Sequence, residues 1–265
     1  MAELITDNIT SGLTPQYIVP DSFRGYRGLT ALQSTRAGGV SDGNFSSLNL
    51  GSNTGDMPRN IDENTRRLCA AGGIDQGMLV SSDQVHGTEI LYAEKPGRYP
   101  GYDAFITDRK NLFLCIYTAD CYPVLLYDPR HKASGAAHAG WKGSAGRIVI
   151  KTIEAMKRSF NSRPSECLAF IGTGISAEAY EVGLEVAGEF PPAYRQRSLR
   201  PDEEEKYLLD LGMVNYSQLL EAGVPSSNID RSPFCSFRDR NLFFSYRRDQ
   251  GKTGRMVSII GFSEE

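Results

Sequence analysis

Three side chains in this 265-residue chain have types that, brought together, could hold a metal ion or activate a nucleophile: His86, Cys121 and His138. The chain has only three histidines, and two of them lie in turn-like surroundings, Gln84-Val85-His86-Gly87 and Ala137-His138-Ala139-Gly140-Trp141. Cys121 falls between them in Thr118-Ala119-Asp120-Cys121-Tyr122-Pro123, where a polar turn interrupts an apolar strand. Two imidazoles and a thiol at strand ends can converge on one point. A His/His/Cys set is a three-ligand site with an open fourth position, the arrangement catalytic zinc uses to hold and acidify a water. Copper competes for the same donors. The same residues also allow metal-free chemistry, with Cys121 a nucleophile activated by His138.

The ordinary alternatives are a core cysteine in a strand-rich region and hydrogen-bonded loop histidines. Asp120, beside Cys121, is the preferred acid for proton transfer, with Glu89 the other available one, unless the Asp120 carboxylate is a cap or a structural anchor. His131, in Asp128-Pro129-Arg130-His131-Lys132, reads as a solvated turn residue.

The elements that must position these groups follow from periodicity. Residues 29–35 alternate like a strand and run into a long loop, Arg36 to Asn49. Pro58 to Ala71 reads as a helix opened by proline and stopped by Gly72-Gly73. Short apolar runs at 78–80, 89–92, 104–107, 112–117, 124–127 and 134–137 predict a packed sheet. Residues 146–160 carry apolar side chains at helical spacing and predict one helix lying on it. A strand at 168–171, a polar exposed excursion at 190–206 and a helix over 211–222 capped by Asp210 follow. Strands at 242–246 and 256–260 are expected to pair as a hairpin across Arg247 to Arg255. Helix and strand without strict alternation argue for an α+β fold with layered sheets.

The bulk numbers bound the class. A chain this long buries roughly 70–75% of its unfolded surface, and 40% apolar with 23% charged residues is ordinary for a globular protein. With a net charge of −3 and no long Lys/Arg run, nucleic acid is disfavoured as a partner. The N-terminal residues lack a basic and then apolar leader, and no stretch reaches membrane-spanning length, which predicts a cytoplasmic protein. Five scattered cysteines predict reduced thiols.

Taken together, the runs STRAGGVSDGNFSSLNLG (34–51), QVHG (84–87), TADCYPVLLYD (118–128), AAHAGWKG (136–143), AYEVG (179–183) and FFSYRRDQGKTGRM (243–256) resemble the YfiH family, also called the laccase-domain or polyphenol oxidase family. The likeness spans nearly the whole chain in order. It implies a single α+β domain of mixed β-sheets flanked by helices, cysteine-hydrolase-like in outline, and zinc on His86, Cys121 and His138. It also implies phosphorolysis of adenosine, inosine and methylthioadenosine, with deamination of adenosine as a second activity and copper-dependent phenol oxidation as the older label. The expected partners are small molecules, a purine nucleoside and phosphate, and the expected state is a monomer.

Phosphorolysis needs cations for the attacking anion, and Arg36, Arg247 and Arg248 are the candidates, each with a surface ion pair as its alternative. The loop 36–49 would then cover the nucleoside. Gly172-Thr173-Gly174-Ile175-Ser176-Ala177 matches a dinucleotide fingerprint, but Gly183, Gly188 and Pro191-Pro192 break the helix and strand that must follow it. Gly251-Lys252-Thr253 fails as a P-loop because Tyr246 stands where the first glycine is required.

Overall fold

The computed structural model describes residues 3–5, 14–198 and 205–263. Two mixed sheets carry most of the chain. The first runs in spatial order β1 (Glu3–Ile5), β2 (Tyr17–Val19), β3 (Leu29–Ser34), β16 (Met256–Phe262), β8 (Leu112–Thr118), β4 (Leu79–Ser81) and β6 (Gly97–Arg98). The second runs β15 (Ile229–Arg231), β11 (Leu168–Ile171), β9 (Tyr122–Asp128), β10 (Ala133–Ala139), β7 (Ala104–Thr107) and β5 (Ile90–Tyr92). A small third sheet pairs β12 (Glu181–Gly183), β14 (Lys206–Leu209) and β13 (Arg195–Arg197).

Side-chain alternation explains the layering, because successive strand residues point to opposite faces. Leu112, Leu114 and Ile116 of the first sheet meet Phe105, Leu125, Tyr127, Ala136 and Phe170 of the second in one core between the sheets. The intervening residues Phe113 and Cys115 face the opposite way, into a core with Leu68 and Cys69 of α1 (Pro58–Gly72). Ala104, Ile106, Val124 and Leu126 pack on Ile153 and Met156 of α3 (Ile148–Phe160), with Leu219 of α5 (Leu211–Glu221) in the same cluster. Each sheet is therefore buried on both faces, against the other sheet on one side and against helices on the other. That is why the strands read as unbroken apolar runs and not as alternating ones.

The helix expected over 146–160 forms as α3, beginning at Ile148; a separate short helix, α2 (Trp141–Ala145), precedes it, and Arg147 stands between them in the left-handed region at φ 63°. Two local expectations are corrected. The expected strand at 242–246 and its hairpin do not form; residues 243–245 are irregular chain between two turns, and the buried rings of Phe243 and Phe244 account for the apolar character. Residues 190–206 are not simply an excursion, since Phe190 is buried and β13 joins the third sheet. Residues 199–204 of that stretch lie outside the described residues. No helix among the described residues is long and apolar enough to cross a membrane.

Candidate metal centre and its cavity

The second sheet brings the site together by register. In β10 and β9, Ala139 pairs with Tyr122 and His138 with Pro123, so one further step sets Cys121 across from Gly140. On the other side of β10, Ala137 pairs with Ala104, and one further step sets His138 across from Asp103. His138 has the same parity as Ala136 and so points into the gap between the two sheets, at its end. Asp103 accepts from His138 Nδ1 at 2.8 Å, and the His138 amide donates to the Asp103 carbonyl at 2.8 Å.

His86 arrives from the loop that follows β4. The Asp103 carboxylate accepts from three consecutive amides of that loop, Val85 (3.1 Å), His86 (3.0 Å) and Gly87 (2.7 Å). Gln84 pins the loop from the other side, its amide nitrogen donating to the Tyr117 carbonyl at 2.8 Å and its oxygen accepting from the Tyr117 amide at 2.7 Å. These bonds hold Gln84 (φ 52°) and His86 (φ 60°) in the left-handed region, which costs a non-glycine residue about 1–2 kcal/mol. Such strain persists where surrounding bonds over-determine it, commonly at functional sites.

The result is a cluster in which ligand atoms of His86, Cys121 and His138 all lie within 4.8 Å of one another. The two imidazoles stand edge to face, centroids 4.8 Å apart. A Cβ on Gly140 would lie 2.9 Å from the Cys121 sulfur and 3.2 Å from His86 Cδ2, so the cluster leaves no room for a side chain there. Burial alone would raise the Cys121 thiol, but the charge and hydrogen bond of His138, then those of His86, bring it below its ordinary value. Burial would lower His138, and the Cys121 charge with the Asp103 hydrogen bond raises it instead. The pair is biased toward thiolate and imidazolium.

These donors fit a metal ion. A tetrahedral ion bonded to nitrogen and sulfur separates its ligand atoms by roughly 3.5 Å, a short adjustment from the spacing present. Asp103 takes the Nδ1 hydrogen of His138 and leaves Nε2 as the ligand atom, the usual arrangement behind a metal-bound histidine.

The cluster lines a cavity of about 640 Å³, a normal size for a small-molecule site. One part of its wall is polar, with Ser52, Asn53, Thr54, Ser82, Asp83 and Arg98; another is aromatic, with Tyr117, Trp141, Tyr180 and Tyr246. Arg247 and Arg255 complete it.

The other sequence candidates divide. Arg247 lines the cavity, lies over the Tyr180 ring at 5.4 Å and donates to the Glu181 carbonyl. Arg36 and Arg248 are not among the lining residues. Arg36 donates to the Ser46 and Arg240 carbonyls beneath the Phe244 ring. Arg248 binds both oxygens of Asp249 and the carbonyls of Ser236, Phe237 and Phe243. Asp120 lines the cavity, but its two carboxylate oxygens accept from Ser236 Oγ (2.6 Å) and the Arg247 amide (2.7 Å). Those two bonds suit the structural anchor named above as the alternative to an acid.

The loop 36–49 is tied to α1, where Asn64 donates to Ser41 Oγ and to the carbonyls of Ser47 and Asn49. The wall comes instead from Leu50–Thr54. Gly172 and Gly174 approach Gln33 and the Tyr122 ring so closely that added Cβ atoms would sit 2.8 and 2.7 Å from them. That packing, and not a dinucleotide, accounts for the glycine pair. Asp103, Gln84 and Arg255 were not foreseen. Asp103 had one available signal, an acid one step before an apolar run that could pair with the His138 strand.

The family model described as multi-copper polyphenol oxidoreductase laccase matches residues 30–263. The chain belongs to this laccase-like family. Among relatives of this laccase-like chain, a protein named purine nucleoside phosphorylase from Deinococcus radiodurans is 42% identical over 93% of this chain and 90% of its own length. Purine nucleoside phosphorylase YfiH of Escherichia coli is 35% identical over 94% and 97% respectively. The crystal structure of YlmD from Geobacillus stearothermophilus superposes with a TM-score of 0.87 at 32% identity, covering 99% of this chain and 100% of that one.

Proposed function

We propose that the chain is a metal-dependent purine nucleoside phosphorylase and that the metal is zinc. The observation that carries the reading is the convergence of His86, Cys121 and His138 on the wall of a cavity of ligand size, in a chain whose relatives bear that name. In the reaction an oxygen of inorganic phosphate bonds to C1′ of the nucleoside as the C1′–N9 bond breaks. The electron pair leaves with the purine, which takes up a proton, and nothing is oxidised or reduced. Bound zinc would supply Lewis acidity beside the sugar and the anion.

The protein's own groups hold, orient and enclose. Asp103 fixes the His138 tautomer and, through three amides, the place of His86. The Tyr180 and Tyr246 rings offer flat faces for a purine, and Ser52, Asn53 and Thr54 offer partners for ribose hydroxyls. Arg247, fixed over Tyr180, faces the same space as a cation for an anionic reactant.

Zinc is preferred to copper on donor chemistry. Oxidases that reduce oxygen by four electrons use several coppers, and among the described residues His86, Cys121 and His138 form the one such cluster of His, Cys, Asp and Glu ligands. Deamination has weaker support, since both lining carboxylates, Asp83 and Asp120, already accept hydrogen bonds from the chain.

One observation favours a second reading. Asp103, His138 and Cys121 stand in the order carboxylate, imidazole, thiol, which also suits a metal-free cysteine hydrolase. Chromatography of inosine incubated with the zinc-loaded protein, with and without phosphate, separates them. Hypoxanthine and ribose 1-phosphate formed only with phosphate supports phosphorolysis. Hypoxanthine formed equally without it, or no product at all, overturns the proposal.

A further inference from the structure

Arg255 is a cavity-lining arginine, and its surroundings differ from those of the arginines first considered for phosphate. Its backbone amide donates to Asn49 Oδ1 at 2.9 Å, and Nη1 donates to the carbonyls of Thr253 and Gly254 at 3.0 Å each. The guanidinium lies over the Tyr246 ring, 5.5 Å from its centroid. The stem runs across Gly51, where an added Cβ would come within 2.5 Å of Arg255 Cγ, so only glycine lets it pass. Among the described residues, Nε and Nη2 have no hydrogen-bond partner and no carboxylate lies within ion-pair distance, Asp120 acting on the charge only from farther off. Arg248 is the contrast, its fork filled by Asp249 at 2.8 and 3.0 Å.

Burial lowers the Arg255 pKa, and the first group opposing that is Cys121, which places the guanidinium within electrostatic reach of the cluster. A partly buried guanidinium held at one nitrogen, stacked, and without a carboxylate in direct contact keeps the rest of its fork open to an anionic ligand. Its remaining N–H groups point in a fixed fork that matches two oxygens of a tetrahedral oxyanion, which a lysine ammonium cannot reproduce.

We propose that Arg255 binds the attacking phosphate and fixes it beside the His86–Cys121–His138 cluster. This rests on the phosphorolysis reading above. Two phosphate oxygens occupy the fork, the third faces C1′, and the charge on the anion replaces the missing carboxylate.

The test compares wild type with Arg255→Lys and Arg255→Gln, zinc-loaded, at saturating inosine and varied inorganic phosphate. The KM for phosphate should rise about 10- to 100-fold in both variants, the loss of one charge-assisted bidentate contact, while the KM for inosine stays within about twofold of wild type. A phosphate KM equal to wild type, or an equal rise in both KM values, overturns the assignment. If Arg255→Gln fails to fold by circular dichroism, Arg255→Lys decides, since it keeps a stem over Gly51. A second arm titrates inorganic phosphate into the protein without nucleoside in a calorimeter. Should wild type release base without phosphate, the phosphorolysis reading falls. Arg255 is then judged by this arm alone: phosphate heat in wild type that Arg255→Gln lacks upholds the anion site, and silence in wild type overturns it.

Discussion

Two histidine–aspartate pairs in this molecule are chemically alike and do different things. His138 Nδ1 lies 2.8 Å from Asp103, and His131 Nδ1 lies 2.7 Å from Asp128. Both carboxylates are buried, and both accept backbone amides besides the ring, from residues 85–87 in one case and 130–131 in the other. The difference lies in what each pair spans. Asp128 and His131 are three residues apart and close the turn between β9 and β10. Asp103 and His138 are 35 apart, joined across two strands, with a thiol, a second imidazole and a cavity on the far side of the ring. The second ring nitrogen of His138 therefore faces Cys121 and His86, whereas the His131 side chain is 32% exposed at the surface. A histidine–carboxylate pair is a local staple until a second set of donors faces the ring.

Breaking the ligand side of His138 should have the largest effect. Cys121→Ser leaves the fold intact and removes the soft donor, so metal retained after dialysis should fall from about one equivalent to near none. Phosphate-dependent release of base should fall to background with it. Elemental analysis and the inosine assay read the two together. Full metal and full activity in this variant would make the contrast between the two pairs meaningless.

The next effect acts behind the ring. Asp103→Asn keeps the shape but loses the charge that holds both the His138 tautomer and the His86 loop, and changes of this kind weaken metal binding about 10- to 100-fold. Competition with a chromogenic chelator measures it. Asp128→Asn, the matching change in the other pair, should leave metal affinity unchanged, and equal losses in the two variants would erase the distinction.

How much of this could be read beforehand follows the same division. The strands of the second sheet other than β15, the helix begun by Pro58 and the three residues that could hold a metal were legible because each is marked by local residue types. Asp103 was not, because its role comes from strand register, and register depends on which strands become neighbours. Arg255 was passed over for Arg248, though one residue type in one loop offers no local sign of which fork Asp249 will fill. The Leu242–Tyr246 run misled for a related reason. Apolar composition reports burial, and Phe243 and Phe244 are buried without belonging to a strand.

A smaller effect concerns stability. Burial raises Asp128, but hydrogen bonds from the chain, including the His131 ring and the Arg130 and His131 amides, outweigh it and leave the carboxyl below its ordinary value. A depressed carboxyl contributes stability that is complete above the unfolded value, about 3.9, and is lost as pH falls through the lower folded value. Asp128→Asn should therefore cost about 1–3 kcal/mol near neutral pH, the range for disturbing a buried hydrogen-bonded acceptor. The gap to wild type should narrow toward acid in urea melts.

The smallest expected effect removes the other half of that staple. His131→Ala deletes a ring that is one-third exposed and bonds only the turn it belongs to, so its loss should cost about 0–1 kcal/mol. The Arg130 and His131 amides still bond Asp128 Oδ1, and Oδ2, which loses the ring, is met by water entering the space the part-exposed ring leaves. Urea denaturation reads the stability, and the inosine assay should give wild-type rates. His138→Ala, by contrast, strips a ligand from the cluster and the ring from a fully buried Asp103. If His131→Ala impaired catalysis as His138→Ala should, the turn would be coupled to the cavity along β9 and β10. Local span would then no longer separate the two pairs.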